Sequence, residues 1–172
     1  HTRSDRDWSS DVCSSDLKCV EATGTLKNLM KARRRKEDFI GLVPGDVLWS
    51  DPQLANDGIT RKGARSWGLL YGPRATQEFF FLNHIHGLIR AHECPITRAK
   101  RPEMGSMKDG WCVDMHFDNG QFVCTVFSAS NYPMRKPGEN RAGVATIYGN
   151  SGEFPKFLSL EAPERPKNLP SY

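Results

Sequence analysis

Apolar and polar positions recur along this chain with two different periods. From Thr25 to about Lys36, Leu26, Leu29, Met30 and the aliphatic stem of Arg33 follow i, i+3, i+4, i+7. That stripe predicts a short amphipathic helix that Thr25 can cap. Gly45 to Pro52 reads as a brief strand stopped by a proline turn, and Gln53 to Lys62, rich in Asn, Asp and Gly, as an exposed loop. Pro73, directly after Gly72, suits the first turn of a second helix through Ala75, Phe79, Phe80 and Leu82 to about Asn83. A strand at Gly87 to Ala91 follows. Pro95 to Gly110, long, basic and without period, reads as an exposed connection.

Beyond Gly110 the period is that of strands. Trp111 to Phe117 and Gln121 to Phe127 flank Asp118-Asn119-Gly120, a hairpin signal of the two-residue type because Asn-Gly accepts positive φ. A second hairpin is predicted from Gly143–Tyr148 and Glu153–Leu160, turning at Asn150-Ser151-Gly152. These elements predict an α/β (α+β) fold with flanking helices and antiparallel hairpins, the last strands forming one continuous sheet.

Composition narrows the class. At 172 residues the chain is long enough for one domain with a core, whole or part of a larger one. It has no run of about 18 apolar residues to span a membrane, and no apolar secretory h-region. The expected compartment is intracellular, cytoplasmic and/or nuclear. Five cysteines without a C-x-x-C pair fit neither a disulfide framework nor a zinc ribbon, so Cys94, Cys112 and Cys124 are expected as reduced, buried small residues. The net charge of +4 owes much to Lys31-Ala32-Arg33-Arg34-Arg35-Lys36. No aromatic residues interleave that run to stack on bases, so it reads as a solvated helix end rather than a nucleic-acid site. Residues 1–17 repeat a Ser-Ser-Asp unit without either period and read as an artefactual or disordered segment outside the fold. Pro163, Pro166 and Pro170 make 161–172 an extended tail.

Candidate chemistry gathers at two strand ends. His92 directly follows Leu88-Ile89-Arg90-Ala91, so its imidazole would emerge at the carboxyl end of a strand, a good place for a metal ligand and equally for a hydrogen-bonded structural histidine. His84 and His86 sit too close in sequence, with divergent rings, to complete a zinc site with it. Arg65, in the glycine-rich stretch Gly63 to Gly72, offers a fork of donors that matches phosphate oxygens, or is simply a surface arginine. Asn131-Tyr132-Pro133 ends the most apolar strand with a phenol that can bind an anion or pack over the sheet.

Leu48-Trp49-Ser50-Asp51-Pro52, Leu70-Tyr71-Gly72-Pro73, Ile89-Arg90-Ala91-His92-Glu93 and Thr125-Val126-Phe127-Ser128-Ala129-Ser130-Asn131-Tyr132 occur in this order. Through them the chain resembles the C-terminal half of the PPP-type protein serine/threonine phosphatases, within the calcineurin-like metallophosphoesterases. The Ser-Ala-Ser-Asn-Tyr form is similar to the EF-hand-containing or plant and protist branches. The resemblance covers about Val43 to Leu160. It implies that 18–160 is the C-terminal part of a two-sheet metallophosphoesterase sandwich, in an enzyme that hydrolyses phosphoserine and phosphothreonine by metal-activated water. It implies two divalent ions (Mn, Fe or Zn), with His92 as a metal ligand and Arg65 and Tyr132 as catalytic contacts to the substrate phosphate. The implied partners are phosphoprotein substrates and a regulatory subunit or calcium-sensing domain, with neither nucleic acid nor membrane.

The chain also departs from the family. Ser66-Trp67 follow Arg65 where a glycine is usual, the Pro95 to Gly110 connection is longer, and Pro133 stands in place of a cysteine. The family's Gly-Asp-x-His-Gly, Gly-Asp-x-x-Asp-Arg-Gly and Gly-Asn-His-Glu segments, which supply most metal ligands and the general acid, do not occur in it. The expectation is therefore a piece of a phosphatase, inactive by itself. The alternatives are a non-catalytic binding or regulatory module of the pseudophosphatase kind and, further off, a basic nucleic-acid-binding domain.

Overall fold

The computed structural model describes residues 24–31, 47–62, 68–132, 140–149 and 153–163. The chain is mixed α/β and divides between Gly87 and Leu88 into two compact units. The basic run from 32 to 36, the turn at 150–152 and residues 1–17 lie outside the described residues.

In the first unit, helix α1 spans Leu26–Lys31, with the Leu29 N–H donating to the Thr25 carbonyl. Its predicted stripe is not a buried one: Leu26 and Met30 are exposed. Residues 47–49 are helical, so the predicted strand shrinks to β1, Asp51–Pro52. The predicted loop after it holds a strand too, β2, Ile59–Arg61. With β3, Leu69–Tyr71, they form a sheet of order β1-β3-β2 in which β1 runs parallel and β2 antiparallel to β3. Pro52 has no N–H to give a ladder, and β1 is accordingly an edge strand. The buried Gln53 amide ties the sheet together, donating to Thr60 Oγ1 at 3.0 Å and to the Leu70 carbonyl at 3.3 Å.

Helix α2, Pro73–Asn83, begins where predicted. A Cβ on Gly72 would lie 1.8 Å from the Asn56 carbonyl oxygen, so glycine there serves close approach of two backbones. Pro73 then starts the helix with φ already set. The helix closes on His84, which takes the left-handed conformation with φ 53° and returns its N–H to the last turn. Ala75, Thr76 and Phe80 face inward.

The second unit is built on a sheet of order β4-β6-β5: Gly87–Arg90, Phe122–Val126 and Trp111–His116. β6 is central, and Phe122, Val123, Cys124 and Thr125 are all buried. β5 and β6 pair through His116 and Phe122, and the Phe117 N–H donates to the Gln121 carbonyl at 2.9 Å. The loop is thus Asp118-Asn119-Gly120, and among these only Gly120 has positive φ, +82°. A three-residue loop closed by a left-handed glycine replaces the expected two-residue turn. The register slips between Val113 and Met115, which makes Asp114 the extra residue of a β-bulge and buries it.

β7, Ala142–Thr146, and β8, Lys156–Leu160, pair antiparallel as the second hairpin. They form their own sheet, not a continuation of the first, because the join is irregular. The Phe127 N–H donates to the Gly110 carbonyl and the Gly143 N–H to the Phe127 carbonyl, at 2.7 and 2.9 Å. Aromatic contacts do the packing: Trp111 stacks on Phe157 at 4.5 Å, and Phe154 sets an edge against Phe122 at 4.9 Å.

Pro95 to Gly110 is not an exposed loop. It contains helix α3, Pro95–Arg98, and a 3-10 turn, Pro102–Met104, and it buries Arg98, Met104 and Met107. Its basic character does not make it a surface segment, because two of its cations, Arg98 and Arg101, have a partner in the interior.

Candidate functional site

His92 stands two residues beyond the end of β4, exposed with Ala91, in the left-handed conformation with φ 69°. Such a φ is uncommon for a residue with a side chain and persists where the surroundings hold it. The next residue is anchored in the interior. Glu93 turns inward to 1 % exposure, and its carboxylate meets three arginines: Arg90 Nη1 at 2.8 Å, Arg98 Nη2 at 2.9 Å, and Arg101.

Arg98 is the hub of this network. Besides Glu93, its guanidinium donates to Asp114, to Thr125 Oγ1 at 3.1 Å and to the Met104 carbonyl at 2.9 Å. Thr125 in turn donates to the other oxygen of Asp114. Burial works against the charge of Arg98, but Asp114 and Glu93 more than offset it and raise its pKa above the usual arginine value. Burial pushes the Asp114 carboxyl up, while Arg98 and Thr125 pull the other way. A buried charge persists only when paired and hydrogen-bonded, and both Nη atoms of Arg98 meet that condition through partners around α3, β5 and β6, while its buried Nε has no hydrogen-bond partner among the described residues.

Cys124 is buried and Cys94 and Cys112 are half-buried, all three as free thiols. Burial pushes the Cys124 thiol up to about 12. It pushes Cys112 up as well, with Asp114 adding to the effect. Neither is poised as a nucleophile, because the thiolate is the reactive form.

The second strand end follows β6. Asn131 has φ 57°, and Tyr132 is 44 % exposed with its ring edge-on to Phe127 at 5.3 Å. The turn is closed by the buried Asn140. Its carbonyl accepts from the Asn131 N–H, and its side-chain Oδ1 accepts from the Tyr132 N–H, both at 2.8 Å. Its Nδ2 donates to the carbonyls of Ala129 and Arg141 at 2.7 and 2.8 Å.

The structure therefore puts His92 two residues beyond β4 and Tyr132 in an exposed turn six residues beyond β6, not at the strand's end, while Arg65 lies outside the described residues. Among the described residues no three His, Cys, Asp or Glu side chains come together as a set for a metal ion, so His92 stands there as one donor and not as a completed centre. Sequence reasoning missed Glu93, Arg98, Asp114 and Asn140. Arg90 and Glu93, three apart, were a visible ion-pair signal, whereas nothing local marks Arg98 or Asn140 as interior.

No family model matches the chain. It is 38 % identical over 164 residues to serine/threonine-protein phosphatase 7 of Arabidopsis thaliana, covering 87 % of this chain and 38 % of that protein. Its homologues are PPP-family serine/threonine protein phosphatases. The long form homolog of phosphatase 7 in the same plant is 35 % identical over 84 % of this chain and 11 % of its own length. The phosphatase rdgC of Drosophila melanogaster is 36 % identical over 72 % of this chain and 16 % of its own. The resemblance drawn from the four motifs is thus borne out, and the chain spans less than two fifths of the length of these phosphatases.

Proposed function

We propose that this chain forms the C-terminal part of the catalytic domain of a metal-dependent phosphatase acting on phosphoserine and phosphothreonine in proteins. The observation that supports this best is the exposed His92 just beyond β4, directly before the buried Glu93, in a chain whose homologues are serine/threonine phosphatases. His92 offers one imidazole to a divalent ion (Mn, Fe or Zn), and the remaining donors come from outside the described residues. When bound, the metal pair would lower the pKa of water so that it ionises near neutral pH and becomes nucleophilic enough to attack a phosphoester. On this reading Arg65 and Tyr132 are the substrate-phosphate contacts, the one for the donor fork of its guanidinium and the other for its phenol. Phosphoproteins are the substrates on this reading, and a regulatory subunit or calcium-sensing domain is the partner.

The test uses the longer enzyme that contains this sequence. His92→Ala removes Mn-dependent hydrolysis of a phosphoserine peptide, and Arg65→Ala raises KM for it. Unchanged kcat and KM in both variants would sink the reading. A longer protein without turnover even as wild type would point to a pseudophosphatase.

A further inference from the structure

Tyr132 presents a puzzle that its own side chain does not solve. It is nearly half exposed, it follows a left-handed Asn131, and its ring touches Phe127 only edge-on. An exposed phenol on a turn of this kind has many rotamers and backbone states available unless something removes them. The buried Asn140 is that constraint.

Its amide is fully used: the one oxygen accepts from Tyr132, and the two N–H bonds go to Ala129 and Arg141. Its backbone carbonyl takes the Asn131 N–H. Every bond but the one to Arg141 reaches the 129–132 turn, so a single 5 %-exposed side chain and its own backbone fix the turn from within. The geometry demands an amide. A carboxylate keeps the acceptor for Tyr132 but sets oxygen against the Ala129 and Arg141 carbonyls, and an aliphatic side chain of equal size leaves the Tyr132 N–H and both carbonyls without this partner.

We infer that Asn140 is a positioning residue of the phosphate site: through the 129–132 turn it sets the direction in which Tyr132 offers its phenol to a phosphate oxygen. This rests on the reading that Tyr132 contacts substrate phosphate. Asn140 itself touches the turn and acts only through it.

The experiment uses the full 172-residue chain, with inorganic phosphate as the probe and NMR as the readout. In Asn140→Leu the Tyr132 amide exchanges at least tenfold faster while the Val123 and Cys124 amides of β6 stay protected. Orthophosphate then binds more weakly, to the same degree as in Tyr132→Phe. Asn140→Asp, which retains the acceptor, keeps the Tyr132 amide protected close to its wild-type rate, and this arm, read against wild type, stands even where the leucine variant folds poorly. An unchanged Tyr132 amide in Asn140→Leu overturns the inference. So does a released amide with full phosphate affinity, provided Tyr132→Phe weakens binding. If Tyr132→Phe binds phosphate as wild type does, the placement of Tyr132 in the phosphate site fails first and takes this inference with it.

Discussion

Arg98 and Glu93 meet inside the protein, Nη2 to Oε2 at 2.9 Å, with 1 % of each side chain exposed. Five residues apart in sequence, they close the segment that follows His92 against the sheet. Arg98→Met would leave Asp114 with Thr125 but without its cation. Breaking a buried pair in this way costs about 3–5 kcal/mol. Urea unfolding followed by tryptophan fluorescence should show the loss, and the double variant Arg98→Met with Asp114→Leu should recover part of it. A single variant within 1 kcal/mol of wild type would mean that the cluster is hydrated.

Neighbouring phenylalanines on α2 should respond in opposite ways. Phe80 is 0 % exposed and Phe81 79 %. Phe80→Ala removes a ring from the interior, at about 3–5 kcal/mol, whereas Phe81→Ser should stay within about 0.5 kcal/mol of wild type. Thermal unfolding of the two variants side by side decides it.

Gly143 and Gly110 lie in backbone contact, such that a Cβ on Gly143 would sit 1.9 Å from the Gly110 oxygen. Gly143→Ala must displace one of the two chains and should destabilise by about 1–3 kcal/mol. Gly149→Ala, where nothing lies within 4 Å, is the control and should change little. Equal unfolding midpoints for the two variants would contradict the contact.

Alkaline stability should report on Cys124. Its thiol is pushed up to about 12 in the fold, from an ordinary value of 9.0. Between those values the unfolded chain releases the proton and the folded one keeps it, so stability is full below pH 9 and falls as pH rises towards 12. Unfolding midpoints measured over that range should drop less steeply in Cys124→Ala. An identical slope in the variant would assign the drop to other groups. Native Cys124 should also resist alkylation at pH 8.

The sequence by itself determined what neighbours along the chain decide. Gly72-Pro73 starts α2 because proline presets φ for a first helical turn, and Gly120 closes the β5–β6 hairpin because glycine accepts a left-handed φ. The end of β4 just before His92 was legible in the same way, as was the phosphatase family, through short motifs in a fixed order.

Tertiary structure decided what depends on partners far away in the chain. Asp114 is buried because β5 bulges there, and a register slip leaves no mark on alternation. Arg98 is interior because Asp114 and Thr125, 16 and 27 residues on, neutralise and bond it. Asn140 joins a turn 8 to 11 residues earlier. Read locally, an arginine and an asparagine in polar segments belong to the surface. Only folding supplies the acceptors and donors that offset the loss of water.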